Sequence, residues 1–249
     1  MNSSIVIAKH DDNNLLSYLI NIIEKTFDKK DSSYFDLPSE EYRRLMIEAQ
    51  NNLNNHSAAS LICKNILSEL ENYLETNKFL IQSNVYLRAS RPSKDPKSES
   101  IGFHRETFYG ENMEKAVNVW TPLKGVSKTN TLRYIPESHL IPDSDIITSK
   151  KEDAHTKRFS DGHKLGFQYA PKTIESGVDT NDDKPMIVKN HSSAIFSGNL
   201  IHGGAINNSD SIRFSIDFRI IRCSDYLKDQ SKQSHFSSGK PYFIEMNQT

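Results

Sequence analysis

The chain has 249 residues, is 36% hydrophobic and 25% charged, and carries a net charge of −1 with a pI near 6.8. That composition supports a packed core and excludes a disordered chain, while the near-neutral balance gives no electrostatic footprint for nucleic acid or a membrane surface. Two cysteines, Cys63 and Cys223, make neither a disulfide framework nor a C-x-x-C pair, which points to a reducing cytoplasm. The first residues lack a basic start and a long apolar run, so no signal peptide is expected. No stretch approaches the roughly 18 apolar residues of a membrane span.

The first third reads as helix. Leu15, Leu19, Ile22, Ile23 and Phe27 share one face at helical spacing. Pro38 interrupts, and Ser39 before Glu40 and Glu41 is an expected N-cap. Tyr42, Leu45, Met46, Ala49 and Leu53 form a second stripe; Leu61, Ile62, Ile66, Leu67, Leu70, Tyr73 and Leu74 form a third. Such stripes are core-facing surfaces. The period changes near residue 79, where Phe79, Ile81, Val85, Leu87 and Ala89 alternate with Gln82, Asn84, Tyr86 and Arg88, the pattern of a strand. Short strand-like runs follow at 101–108, 116–123, 131–135, 166–170, 186–189, 194–197 and 212–221, separated by turn residues. Many short strands of this kind predict a sandwich or barrel. Residues 142–184 are mostly polar with little periodicity outside the 166–170 run, and a connection that long is usually functional or mobile. The tail is polar until Tyr242-Phe243-Ile244, which is expected to dock against the body.

Two positions carry the chemistry. In Gly102-Phe103-His104-Arg105-Glu106, strand alternation sends His104 and Glu106 to the same side. A remote His202-Gly203-Gly204 supplies a second imidazole, and two His with one carboxylate are the ligand set of a non-haem iron(II) site. The final run repeats the alternation. Ile212, Phe214, Ile216, Phe218 and Ile220 make one apolar face; Arg213, Ser215, Asp217 and Arg219 make the other. The apolar face needs a cover, which the amphipathic helices can provide, so Arg213 and Ser215 face the interior of the sandwich. A buried arginine needs an anionic partner, and a bound dicarboxylate held in a bidentate fork would be one.

The chain resembles the iron(II)/2-oxoglutarate-dependent dioxygenases of the phytanoyl-CoA dioxygenase-like superfamily. The likeness rests on residues 102–106, on Asn118-Val119-Trp120-Thr121-Pro122-Leu123, on Tyr134-Ile135-Pro136-Glu137-Ser138-His139, and on His202-Gly203-Gly204 with Arg213-Phe214-Ser215, in the family's order from about 79 to 221. The resemblance implies a mainly β fold with helices: a double-stranded β-helix, or jelly roll, covered by N-terminal helices. It implies one dioxygenase domain over 1–249, with a helical cover at 1–78, a core at 79–222 carrying a lid insertion at 140–184, and a tail at 223–249. His104, Glu106 and His202 would hold Fe(2+). Arg213, with Ser215, Trp120 and Asn118, would bind the cosubstrate 2-oxoglutarate, and O2 would be the oxidant. Most relatives carry Asp where this chain has Glu106, and some carry serine where it has Gly204.

The expected activity is hydroxylation of a small polar metabolite with release of succinate and CO2. The motive for a polar substrate is the shortage of apolar residues in the lid. Arg88, Tyr86 and Arg133 are candidate substrate contacts, the first two either lining the cavity or facing water. His139, His155, His163 and His191 are expected to pack or to be solvated. Two other readings share the pattern: a cupin-type metal-dependent isomerase or epimerase that needs no keto acid, and a non-catalytic metabolite-binding protein.

Overall fold

The structure is a computed structural model that describes residues 5–27, 37–92, 101–110, 113–150, 172–226 and 241–246. Strand β1 (Ile5–Lys9) leads into four helices: α1 (Leu15–Phe27), α2 (Ser39–Asn55), α3 (Ala58–Asn65) and α4 (Leu67–Leu74). Asp12 turns the chain into α1, its carboxylate accepting from the Asn14 N–H at 2.8 Å. In α2 Ser39 is already the first helical residue and Pro38 takes the cap position, one residue earlier than expected. Glu40 and Glu41 lie in the first turn, where the helix dipole favours them. The third stripe is split into α3 and α4 at Ile66, whose φ of −131° leaves the helical region. Its buried face survives the break through Ile62, Ile66, Leu70 and Leu74.

The strands that follow are β2 (Phe79–Gln82), β3 (Tyr86–Ser90), β4 (Val117–Lys124), β5 (Leu132–Tyr134), β6 (Ile147–Lys150), β7 (Lys172–Ser176), β8 (Lys184–Pro185), β9 (Ser192–Ser197), β10 (His202–Gly204), β11 (Arg213–Arg222) and β12 (Phe243–Ile244). A seven-stranded antiparallel sheet runs β1-β9-β4-β11-β2-β12, with β3 also paired to β11. A three-stranded sheet, β10-β5-β8, lies opposite, and β6 pairs with β7 in a separate ribbon. Trp120, Ala194 and Phe196 of the large sheet pack against Met186 and Leu200, with Leu132 and Tyr134 of the small sheet at their margin. The fold is therefore mainly β with helices, of jelly-roll type, and its antiparallel sheets stay open instead of closing into a barrel.

The outer face of the large sheet is the core. Val119 of β4, Ile195 of β9 and Phe214, Ile216, Phe218 and Ile220 of β11 join Leu19, Ile23, Leu45, Met46, Leu53 and Ile62 of the helices in one cluster. Burial of each such side chain contributes about 1.5–3 kcal/mol. The inner face of the same sheet is left for polar groups.

Several details depart from the pattern read from sequence. Residues 5–9 are the edge strand of the core sheet, in register with β9, so the helical cover begins at Leu15. The β-branched Ile5, Val6 and Ile7 suit that role. The run from Phe79 to Ala89 is two strands, β2 and β3, which both pair with β11 on either side of a break at Ser83 and Asn84. The run at 186–189 is not a strand; pairing with β5 centres on Lys184 and Pro185, and the Met186 N–H closes it by donating to the Leu132 carbonyl at 2.8 Å. The run at 166–170, and His155 and His163, lie outside the described residues. The polar 142–184 stretch contains the β6–β7 ribbon, with Ile146, Ile174 and Val178 packed around Phe108, Ile135 and Ile201. The tail docks as expected: β12 pairs with β2, Phe243 is buried, and the Tyr242 hydroxyl donates to Gln82 Oε1 at 3.0 Å.

Phe218 is fully buried between β11 and the helices. Phe218→Ala is expected to destabilise the protein by about 3–5 kcal/mol through lost burial and a residual cavity, measured by chemical denaturation. A change below about 1 kcal/mol would contradict the placement of the helices on this face.

Candidate metal centre

His104 and His202 are brought together by a backbone bridge. Each N–H donates to the other residue's carbonyl at 2.9 Å, and the ring centroids sit 4.5 Å apart. The stretch 101–108 is not the continuous strand expected from its pattern. Only His104 pairs, and Glu106 opens a 3-10 turn, Glu106–Phe108. Alternation still decides the outcome because Arg105 between them is extended, at φ −132° and ψ 163°. His104 and Glu106 therefore face the same way and Arg105 the opposite way. Arg105 is buried, and its guanidinium donates to the Ser138 and Ile141 carbonyls and to the Asp143 carboxylate, fixing this segment against the base of the following loop.

One ligand atom from each of His104, Glu106 and His202 lies within 4.8 Å of the others, and all three residues are buried. The rings are oriented for ligation. His104 Nδ1 lies 2.8 Å from the Gly102 carbonyl and His202 Nδ1 lies 2.9 Å from the Leu200 carbonyl. A carbonyl can only accept, so each Nδ1 carries the hydrogen and each Nε2 keeps its lone pair for the shared space. Burial, followed by the neighbouring His202, pushes the His104 imidazolium down to about 3, and burial lowers His202 as well; both rings are neutral, as ligands must be. For Glu106, burial alone would raise the carboxyl, but the Arg219 guanidinium outweighs it and holds the group below the usual carboxylate range. Glu106 is set close to the backbone of Gly198. Its N–H donates to the Gly198 carbonyl at 2.8 Å, and a Cβ on Gly198 would stand 2.6 Å from the Ala116 carbonyl oxygen and 3.1 Å from Glu106 Cγ.

Beside this cluster is a cavity that His104 and His202 border. Asn118 and Trp120 of β4 line it, with Arg213, Ser215, Asp217 and Arg219 of β11, Arg88 of β3, and His202 and Gly204 of β10. Leu132 and Phe196 add apolar walls. The four alternate residues of β11 all enter, as the strand pattern requires. Arg213 is buried and donates through one terminal amine to the Asn130 carbonyl at 2.7 Å. It has no carboxylate partner among the described residues, and its Nε has no hydrogen-bond partner. Burial, and then the nearby Arg88, lower the Arg213 pKa to about 10, and the Asp217 carboxylate offsets this only in part. Ser215 Oγ and both polar atoms of the Asn118 amide are likewise buried without partners. Buried polar groups in folded proteins are usually paired, so this clustering in one cavity fits a ligand with several acceptor oxygens.

Residues beyond the expected set complete the site. Arg219 donates to both carboxylate oxygens of Glu106, at 3.0 Å each, and to Asp217 Oδ2 at 2.9 Å. Arg88 holds the same Asp217 at 2.5 and 3.1 Å. The four make a ladder Arg88–Asp217–Arg219–Glu106. The alternation that selected Arg213 and Ser215 also places Asp217 and Arg219 inside, and was the available signal for them. Of the candidate substrate contacts, Arg88 reaches the cavity but is engaged with Asp217. Tyr86 lies against the Arg88 and Arg219 guanidinium groups, 5.1 and 5.4 Å from ring centroid to Cζ. Arg133 is not brought to the cavity: alternation on β5 points Leu132 inward, and Arg133 is held on the other side by an ion pair with Asp183.

A family model described as phytanoyl-CoA dioxygenase matches residues 25–215. No curated protein matches the sequence. Among solved structures, EvdO2 from Micromonospora carbonacea var. aurantiaca, complexed with 2-oxoglutarate, is similar at a TM-score of 0.53 and 12% identity, covering 89% of this chain and 87% of that one. The non-heme alpha-ketoglutarate-dependent carbocyclase SnoK from nogalamycin biosynthesis is similar at 0.52 and 13%, covering 98% and 90%. The epimerase SnoN, in complex with Fe3+, alpha-ketoglutarate and nogalamycin RO, is similar at 0.53 and 12%, covering 98% and 90%. At these identities the likeness is one of fold.

The contact with Gly198 gives a test of the cluster that avoids its three polar residues. Gly198→Ala should displace Glu106 and weaken binding of Mn2+ by about tenfold or more, measured by titration calorimetry, with the melting temperature recorded alongside. Unchanged affinity would show that the Gly198 contact does not hold Glu106 in its position at the cluster.

Proposed function

This chain belongs to the phytanoyl-CoA dioxygenase family, and from that premise we propose that it is an iron(II)- and 2-oxoglutarate-dependent oxygenase that hydroxylates a small polar metabolite. His104, Glu106 and His202 hold the iron in this reading, and Arg213 binds the distal carboxylate of 2-oxoglutarate. The observation that carries it is the Arg213 guanidinium, which has no carboxylate partner among the described residues and is buried with the unpartnered Ser215 hydroxyl and Asn118 amide in the cavity that the His–Glu–His cluster borders.

The residues fit both groups. Two neutral imidazoles with oriented Nε2 atoms and one carboxylate are the facial set that non-haem iron(II) uses, leaving positions open for co-reactants. Arg213 offers Nε and its remaining amine to a carboxylate, and removal of its desolvation penalty on pairing favours a dianion over a neutral ligand. The Asn130 carbonyl, fixed through the Asn130 amide to the Gly125 carbonyl and to Asn207, sets the plane of that guanidinium. Ser215 donates to the same carboxylate. Asn118 and Trp120 line the bed of the cosubstrate, and Trp120, Phe196 and Leu132 keep water from it. Iron(II), 2-oxoglutarate and O2, when bound, supply the oxidising chemistry, which the protein itself has no group to perform. With those groups bound, the proposed balance would be hydroxylation of the substrate coupled to conversion of 2-oxoglutarate and O2 to succinate and CO2. Arg88 and Asp217 present charge and hydrogen-bonding capacity at the cavity wall, which favours a polar substrate.

A second outcome on the same site is supported by the neighbours of like fold, which include a carbocyclase and an epimerase. Product mass separates the outcomes. Hydroxylation adds one oxygen, ring closure removes two hydrogens, and epimerisation leaves the mass unchanged.

Purified protein with iron(II) is expected to consume 2-oxoglutarate and form succinate; absence of 2-oxoglutarate binding sinks the proposal. His104→Ala and His202→Ala should each abolish metal binding while the far-UV circular dichroism stays native. Arg213→Ala should leave metal binding intact and weaken 2-oxoglutarate by about 2–5 kcal/mol, roughly thirty-fold or more, seen as a raised KM for the keto acid.

A further inference from the structure

We propose that Arg219 is a positioning residue that confines Glu106 to ligating the metal through one oxygen, and that this confinement is what lets a glutamate serve at this place in the cluster. The inference rests on the metal reading above.

Glutamate has one more rotatable bond than aspartate, and its longer reach lets it approach an ion with both oxygens. Chelation by both oxygens puts the ion on the bisector of the carboxylate, on its open side. In this structure that position belongs to a guanidinium. Arg219 meets Glu106 as a fork, Nε to Oε2 and a terminal amine to Oε1, both at 3.0 Å. A carboxylate oxygen has about two lone-pair directions. The fork takes one on each oxygen, and the second on Oε1 remains available toward His202 Nε2, 3.9 Å away.

The guanidinium has little freedom to swing aside. Its other terminal amine is held by Asp217 at 2.9 Å, and Arg88 fixes Asp217 from beyond at 2.5 and 3.1 Å. The Tyr86 ring packs against both guanidinium groups. The Arg219 backbone N–H is tied to Gln82 Oε1 at 3.0 Å, the same atom that accepts from the Tyr242 hydroxyl at 3.0 Å. Arg219 is 4% exposed and Glu106 is 1% exposed, so the contact is desolvated and its geometry is firm.

The consequence is a coordination count. An octahedral ion with two imidazoles and one carboxylate oxygen keeps about three positions open, and a second carboxylate oxygen would cut this to about two. A chelating keto acid fills two by itself.

The test counts waters on Mn2+ bound to the full-length protein without keto acid, by water-proton relaxation, in wild type, Arg219→Gln and Arg219→Lys. Lysine keeps the buried charge but cannot form the fork, so it remains informative if the glutamine variant fails to fold. Wild type is expected to hold about three waters and each folded variant about two, with 2-oxoglutarate affinity of the Mn2+ form falling about tenfold or more. A variant with weaker Mn2+ binding but the wild-type water count would show that Arg219 is merely structural, and would overturn the inference. Wild type that binds no Mn2+ would overturn the metal reading itself, an outcome distinguishable from failure of the fork alone.

Discussion

A strand cannot choose the direction of its residues one at a time. Ten residues of β11 carry two jobs through that constraint, with Phe214, Ile216, Phe218 and Ile220 committed to the helical core and Arg213, Ser215, Asp217 and Arg219 thereby committed to the cavity. A slip of one residue in register would bury two arginines and an aspartate among leucines and isoleucines and expose the core face to polar surroundings. The helices are the condition for this arrangement. By covering one face of the large sheet they make the other an interior in which charge is costly and must be organised.

That organisation explains the pairing pattern. Buried charges persist where they are partnered. Arg88, Asp217, Arg219 and Glu106 alternate in sign and satisfy one another in sequence. Arg213 is left out of the ladder, and its carbonyl bond to Asn130 does not neutralise it. Around this cavity four charges are matched among the described residues, and Arg213 is not. That contrast separates the charges that shape the centre from the charge available to bind.

Much of this was legible before any coordinates. The apolar stripes of α1 and α2, the alternation of β11 and the shared direction of His104 and Glu106 follow from spacing, while the place of His202 beside them was an implication of the family resemblance. The succession of short strands gives a sandwich or barrel, and the family resemblance narrows it to a jelly roll. What spacing could not show is which polar partner each inward residue finds. Asp217 and Arg219 were on the inward face by count, but their coupling to Glu106 depends on how residues 104–108 cross β10 and end in a 3-10 turn. The outward turn of Arg133 was missed because a three-residue strand is too short for its period to be read. The strand character of residues 5–9 was hidden by the strong helical signal that follows, and its partner lies near the other end of the sequence. Long-range pairing of that sort leaves no local trace.

That pairing also has a meaning in time. β1 is completed by β9, at residues 192–197. At ribosomal speeds of about 5–20 residues per second, roughly ten to forty seconds separate synthesis of the two. Through that interval Ile5, Val6 and Ile7 have no sheet to join, and neither His202 nor Arg219 has been made. Non-local topologies of this type fold slowly. The nascent chain thus carries β1 unpaired until β9 has been made, so this sheet edge is completed late.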